Sequence, residues 1–184
     1  MKRVGYVLIS AVTMLVIFTI ALAQLETRSA KHLLRVISGE QVRAYFGSGV
    51  EGMFAWTGDK PLFAVSSSGE MNGPVRTGQV MFFDGLLADS PVHEFSAPNE
   101  GELFGRTLSG GGDWNGDGIP DLVVGAPGDR TTAGKVYLYF GSPRIGAASD
   151  GVVSAKETGD QFGAALSLHH DLNGDGLADL VVGA

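Results

Sequence analysis

Asp113, Asn115, Asp117 and Asp121 stand at positions 1, 3, 5 and 9 of a short glycine-containing loop, and Asp171, Asn173, Asp175 and Asp179 repeat the set 58 residues later. The main-chain oxygens of Ile119 and Leu177 fall at position 7. Odd-numbered residues of a tightly curled loop aim their oxygens at one centre, and calcium is a hard cation that takes 6 to 8 oxygens. Gly118 and Gly176, at position 6, permit the sharp turn such a loop needs. Each loop gathers three formal negative charges that repel one another without a cation. Zinc would ask for nitrogen or sulfur ligands, and magnesium for stricter octahedral geometry with retained water. The expected cofactor is therefore Ca2+. Position 12 is Val124 or Val182, where an EF-hand carries a bidentate Glu, and an apolar run follows instead of a helix. The ninth-position Asp must supply the closing carboxylate, and the ion clips a strand–loop–strand hairpin in a structural role.

Other chemistry is poorly supplied. There is no Cys and no GxSxG elbow. The clustered carboxylates are better used as ligands than as a glycosidase pair. The stretch Gly47-Ser48-Gly49-Val50-Glu51-Gly52 matches GxGxxG, but the following Met53-Phe54-Ala55-Trp56-Thr57-Gly58-Asp59-Lys60-Pro61 is no pyrophosphate-binding helix. His169 and His170 are adjacent in a predicted strand, so they point to opposite faces, one imidazole at the surface and one packed. Trp56, Trp114 and Tyr137 are the aromatic candidates for stacking on sugars, with Trp114, at loop position 2, pointing away from the ion. No catalytic residue and no organic cofactor site is expected.

The elements that must position the loops form a repeat. Phe104-Gly105 precedes the first loop and Phe162-Gly163 the second, and 15 of the 23 positions from 104 to 126 recur identically at the 58-residue offset. Each unit reads as four short strands: one headed by the Phe-Gly pair, then 121–125, 135–140 and 152–155 in the complete copy. Four antiparallel strands make a propeller blade, which has two faces to cover and is stable only when stacked on neighbours. Upstream, Gln79-Val80-Met81-Phe82-Phe83-Asp84-Gly85 matches the third strand and 92–95 the outer one. Leu62-Phe63-Ala64-Val65 is placed where Leu122 to Gly125 sits, and Thr57-Gly58-Asp59-Lys60 is too short to wrap an ion.

The fold class expected is all-β, a partial β-propeller of four-stranded antiparallel blades, read as a segment of a seven-bladed ring. Its parts are an outer hairpin (33–46), a metal-free blade (47–99), a calcium-binding blade (100–158) and the inner half of a second calcium-binding blade (159–184). Residues 1–23 read as a signal peptide, with Lys2 and Arg3, an apolar run over 7–20 and Ala21-Leu22-Ala23 before the cleavage point. Residues 24–32 form a linker. An uncleaved anchor is the other reading of this segment, because the 20 residues 4–23 could span a bilayer. Glycine accounts for 28 of 184 residues, which suits tight turns between short strands but lacks the period of collagen. A net charge of −7 argues against nucleic acid as a partner.

With Phe104-Gly105, the 113–121 loop and Gly125-Ala126-Pro127, then Phe162-Gly163, the 171–179 loop and Gly183-Ala184, the sequence resembles the FG-GAP repeat family. Such repeats build the propellers of integrin alpha chains and of many secreted bacterial proteins. The resemblance is strong over about 100–184 and weak over 33–99, and Ala178 departs from it where the first copy has Pro120. It implies calcium on one face of the propeller and a protein or carbohydrate partner on the other. The function expected is an exported, non-catalytic, calcium-binding segment for cell-surface adhesion or for recognition of an extracellular protein or glycan. The alternative is the scaffold domain of a secreted enzyme, of polysaccharide lyase or phospholipase type, whose catalytic part lies elsewhere. A propeller that only displays other domains is a third.

Overall fold

The computed structural model describes residues 45–53, 62–69, 71–72, 75–76, 78–84, 90–97, 99, 101–129, 131–142, 146 and 148–184, all within one compact unit spanning Ser38–Ala184. The expected signal peptide, linker and residues 33–44 of the expected outer hairpin lie outside the described residues, as do Trp56 and the segment 57–60. Among the described residues every element is a strand, and no helix there is long and apolar enough to cross a membrane.

The first blade is a four-stranded antiparallel sheet of β1 (Phe46–Met53), β2 (Leu62–Ser67), β5 (Gln79–Asp84) and β6 (His93–Ser96). A small ladder, β3 (Met71–Asn72) with β4 (Val75–Arg76), lies between β2 and β5 in the chain. The second blade holds β7 (Thr107–Gly110), β8 (Leu122–Ala126), β9 (Ala133–Tyr139) and β10 (Gly151–Thr158), each paired with the next. Strands β11 (Ala165–His170) and β12 (Asp179–Gly183) pair as the inner hairpin of a third. The first strands of the blades lie side by side, β1 against β7 and β7 against β11. These are consecutive blades of a β-propeller.

Alternation along the strands of the second blade divides its side chains between two cores. Leu122, Val124, Ala126, Tyr137 and Tyr139 pack with Leu62, Ala64, Val80, Phe82 and Phe95 of the first blade. Val123, Val136 and Leu138 face the other way, onto Leu168, Phe162, Leu166, Leu180 and Val182 of the third. Because both faces are covered, β8 is buried at all five residues, which is why its sequence is a continuous apolar run and not an alternating one.

The structure corrects three expectations. The Phe-Gly pairs were expected at the head of a strand, but they form a turn before it: Arg106 N–H donates to Leu103 O at 3.1 Å, and Ala164 N–H to Gln161 O at 2.9 Å. The same turn occurs a third time, at Tyr45-Phe46-Gly47, where Ser48 N–H donates to Tyr45 O at 3.1 Å. Tyr45, Leu103 and Gln161 all have positive φ, from 53° to 58°, and Gly47, Gly105 and Gly163 follow at 81° to 92°. Phe46 therefore opens the first blade and does not end an outer hairpin, and β1 is that blade's innermost strand. Thirdly, β1 pairs Gly52 with Phe63 and Met53 with Leu62, whereas β7 pairs Gly110 with Leu122. Leu62 thus occupies the place of Asp121, not of Leu122.

Candidate metal centre

Each acidic loop joins the first strand of a blade to the second: β7 to β8, and β11 to β12. In the first loop Asp113 Oδ1 accepts the N–H groups of Gly116 (2.7 Å) and Asp117 (3.2 Å), and its Oδ2 that of Gly118 (2.8 Å). Asn115 Oδ1 accepts Asp117 N–H at 2.9 Å, and Asp117 Oδ1 accepts Ile119 N–H at 2.8 Å. Asp121 reaches back from the start of β8, its Oδ2 accepting Trp114 N–H (2.8 Å) and Asn115 N–H (3.2 Å). The second loop has the same seven bonds around Asp171, Asn173, Asp175 and Asp179, each within 0.2 Å of its counterpart. Two loops that differ at positions 2, 7 and 8 converge on one geometry because the side chains at positions 1, 3, 5 and 9 curl the backbone through its own N–H groups.

The position-3 amide donates to neighbouring carboxylates. Asn115 Nδ2 donates to Asp117 Oδ2 at 3.0 Å; Asn173 Nδ2 donates to Asp175 Oδ2 at 3.0 Å and to Asp179 Oδ1 at 3.2 Å. The donor set is entirely of hard oxygens and carries three carboxylates per loop, the chemistry that suits calcium. Counting His, Cys, Asp and Glu alone, no group of three is gathered as a metal site among the described residues. The three Asp of each loop are thus not gathered on one centre; their oxygens are turned onto backbone N–H groups.

Carboxylates of the two loops differ in setting. Asp121 is 2 % exposed, and its Oδ1 accepts Gly141 N–H at 2.9 Å, tying the loop to the end of β9. Burial raises its pKa, opposed by the N–H groups of Gly141, Trp114 and Asn115. Asp171 is held below the usual carboxylate range, chiefly by Gly176 N–H and then by Gly174 and Asp175. The Trp114 ring is partly exposed and lies 6.0 Å from Phe140. His169 and His170 are both exposed, which corrects the expectation that one is packed. His169 Nε2 is 3.4 Å from Ser109 Oγ, yet Ser109 is buried and accepts Leu168 N–H, so it offers no accessible nucleophile.

Sequence reasoning missed two features. At the opposite end of the strands from the loops, the Phe-Gly turns border a cavity of about 410 Å³ whose walls include Tyr45, Leu103, Arg106, Pro127 and Gln161. Applying the 58-residue offset once more upstream of Phe104 would have found Tyr45-Phe46-Gly47. The other is Glu102, fully buried, which pairs with Lys135 Nζ and accepts Tyr137 OH at 2.5 Å and Asn99 Nδ2 at 2.8 Å. Burial, then the Glu102 carboxylate, pushes the Tyr137 phenol up, so it stays protonated and donates. No local pattern marks that glutamate.

The FG-GAP repeat matches residues 104–139 and 162–184. The chain is 29 % identical to human integrin alpha-X over 164 residues, which is 80 % of this chain and 14 % of that protein. It is 30 % identical to integrin alpha-PS3 of Drosophila melanogaster over 154 residues, 79 % of this chain and 13 % of that one. It is also 37 % identical to mouse phosphatidylinositol-glycan-specific phospholipase D over 123 residues, 60 % of this chain and 15 % of the enzyme. The chain thus spans about a seventh of the length of these relatives.

Proposed function

The two loop-bearing segments are FG-GAP repeats, and from that premise we propose that the chain is an exported, calcium-binding propeller segment serving cell-surface adhesion or recognition of an extracellular protein or glycan, without catalysis of its own. The supporting observation is the pair of loops, built to the same seven hydrogen bonds at a 58-residue spacing. Asp113, Asn115, Asp117, Asp121 and the Ile119 carbonyl would hold one ion, and Asp171, Asn173, Asp175, Asp179 and the Leu177 carbonyl the other. Calcium supplies the positive charge that offsets three mutually repelling carboxylates and so locks the β7–β8 and β11–β12 hairpins. The 1–23 segment carries the export reading.

Recognition is assigned to the end of the blades opposite the loops, where turns of three successive blades surround the cavity and Arg106 is exposed. Concave sites with a few convergent polar groups are where ligands are held. The phospholipase relative favours a second reading, in which the propeller is the scaffold of a secreted enzyme whose chemistry lies elsewhere.

Isothermal titration of the full chain with calcium, and thermal melts with and without chelator, test the metal reading. Two binding events and a melt lowered by several degrees on chelation are expected, with Asp117→Ala reproducing part of the loss. A melt unchanged by chelator would sink it. A glycan array and a phospholipase assay on the full-length protein separate recognition from the enzyme-scaffold reading.

A further inference from the structure

We infer that loop position 8 decides whether neighbouring loops act independently, and that Ala178 makes the two loops of this chain a thermodynamically coupled pair. This rests on the reading that both loops take calcium. The loops touch directly: Ala178 N–H donates to the main-chain oxygen of Asp113 at 2.9 Å. Around that bond the fit is close. A Cβ at Gly116 would stand 3.0 Å from Leu177 Cδ2, and one at Gly112 would stand 2.6 Å from Ala178 Cβ and collide with the Leu168 carbonyl.

The bond joins ligand-bearing residues on both sides. Asp113 is position 1 of its loop, and Ala178 lies between Leu177, whose carbonyl is position 7, and Asp179, whose carboxylate is position 9. Fixing Asp113 fixes the carbonyl that holds Ala178 N–H, so part of the ordering the second loop needs is already done when the first is filled. Charge acts the other way, because a filled loop attracts the next cation less. That effect is screened over about 8–10 Å at physiological salt, whereas the hydrogen bond is not. The first loop has Pro120 at position 8, which has no N–H to give. The departure at Ala178 is therefore what creates the link.

The test uses the full chain, calcium alone and titration calorimetry at about 0.15 M salt. Asp175→Ala leaves the first loop to bind, Asp117→Ala leaves the second, and the wild type gives the combined constant. The combined constant is expected to exceed the product of the single-loop constants by about fivefold, at the low end of measured couplings. Ala178→Pro, which installs the residue the sister loop carries, should bring that factor to about one. Leu177→Ala, which keeps the N–H, should retain most of it. A factor of one in the wild type, or an undiminished factor in Ala178→Pro, overturns the coupling while leaving two calcium sites in place. Absence of binding in the wild type overturns the calcium reading itself and the coupling with it. Should Ala178→Pro fail to fold, amide exchange decides: in Asp175→Ala, calcium should slow exchange at Ala178, and an unchanged rate refutes the link.

Discussion

Thr107 Oγ1 donates a 2.7 Å hydrogen bond to the carbonyl of Gly163, so the innermost strand of one blade holds the Phe-Gly turn of the next. Ser48, in the innermost strand of the first blade, reaches Gly105 O in the same sense, at a looser 3.4 Å. A hydroxyl just after the Phe-Gly turn, two residues past Phe46 or three past Phe104, is a clasp between blades. Thr107→Val keeps the shape but leaves the Gly163 carbonyl without that donor. It is expected to cost about 1–2 kcal/mol, read as a fall of a few degrees in melting temperature. Ser48→Ala, although its bond to Gly105 is longer, also takes the acceptor from the buried Ser68 N–H (3.1 Å) and a partner from Ser66 Oγ (3.3 Å), so it should cost at least as much.

The three Phe-Gly turns separate backbone strain from packing. Gly47 and Gly105 share the left-handed conformation, at 82° and 81°. A Cβ at Gly47 would meet nothing within 4 Å, but one at Gly105 would stand 2.9 Å from Ser66 Cβ and 3.1 Å from Gln79 O. Gly47→Ala should therefore cost only the conformational strain, about 1–2 kcal/mol. Gly105→Ala adds the overpacking of two blades, about 1–3 kcal/mol more. Urea melts of the two variants give the difference; equal losses would mean the blades do not press on each other there.

How far the sequence could be read follows from what each part must do. The second and third Phe-Gly units were plain because ligand oxygens and buried β residues leave little freedom, and whole strings recur. The first unit kept only its turn: Thr57-Gly58-Asp59-Lys60 stands where a loop would be, and Gly47 to Gly52 imitates a nucleotide motif. There the apolar run alone suggested matching Leu62 with Leu122. Strand register, counted from the Phe46-Gly47 turn, sets Leu62 against Asp121 instead, so a side chain without oxygens occupies the place of the closing carboxylate. Glu102 was illegible for another reason. Its partners Lys135 and Tyr137 lie 33 and 35 residues away, and only the folded blade brings them to it.

That buried glutamate makes a quantitative expectation. Removing one member of a buried ion pair leaves the other uncompensated, a loss of about 3–5 kcal/mol when both are fully desolvated. Glu102 is fully buried while Lys135 is about a quarter exposed. Lys135→Met, which leaves Glu102 with Tyr137 and Asn99 only, should approach that range. Glu102→Gln, which retains acceptors for Tyr137 and frees a partly solvated lysine, should fall below it. Chemical denaturation ranks them; a milder effect from Lys135→Met than from Glu102→Gln would mean the pair's charge is not the term that matters.

Glu51 supplies the pH dependence. It lies in β1 beside Gly110 of β7, and burial raises its pKa, with His169 and the N–H groups of Gly110 and Gly52 opposing. A carboxyl whose folded pKa lies above its unfolded value favours folding in its neutral form, so its contribution is full below the ordinary value of 4.5 and fades as pH rises through the folded pKa. At pH 7 the ionised side chain is a net burden. Glu51→Gln removes that burden without changing shape, and should melt higher than the wild type at pH 7 and level with it near pH 4. Because the two proteins differ only at this residue, the difference between their melting curves isolates Glu51. A difference that persists unchanged at pH 4 would trace the gain to packing and not to charge.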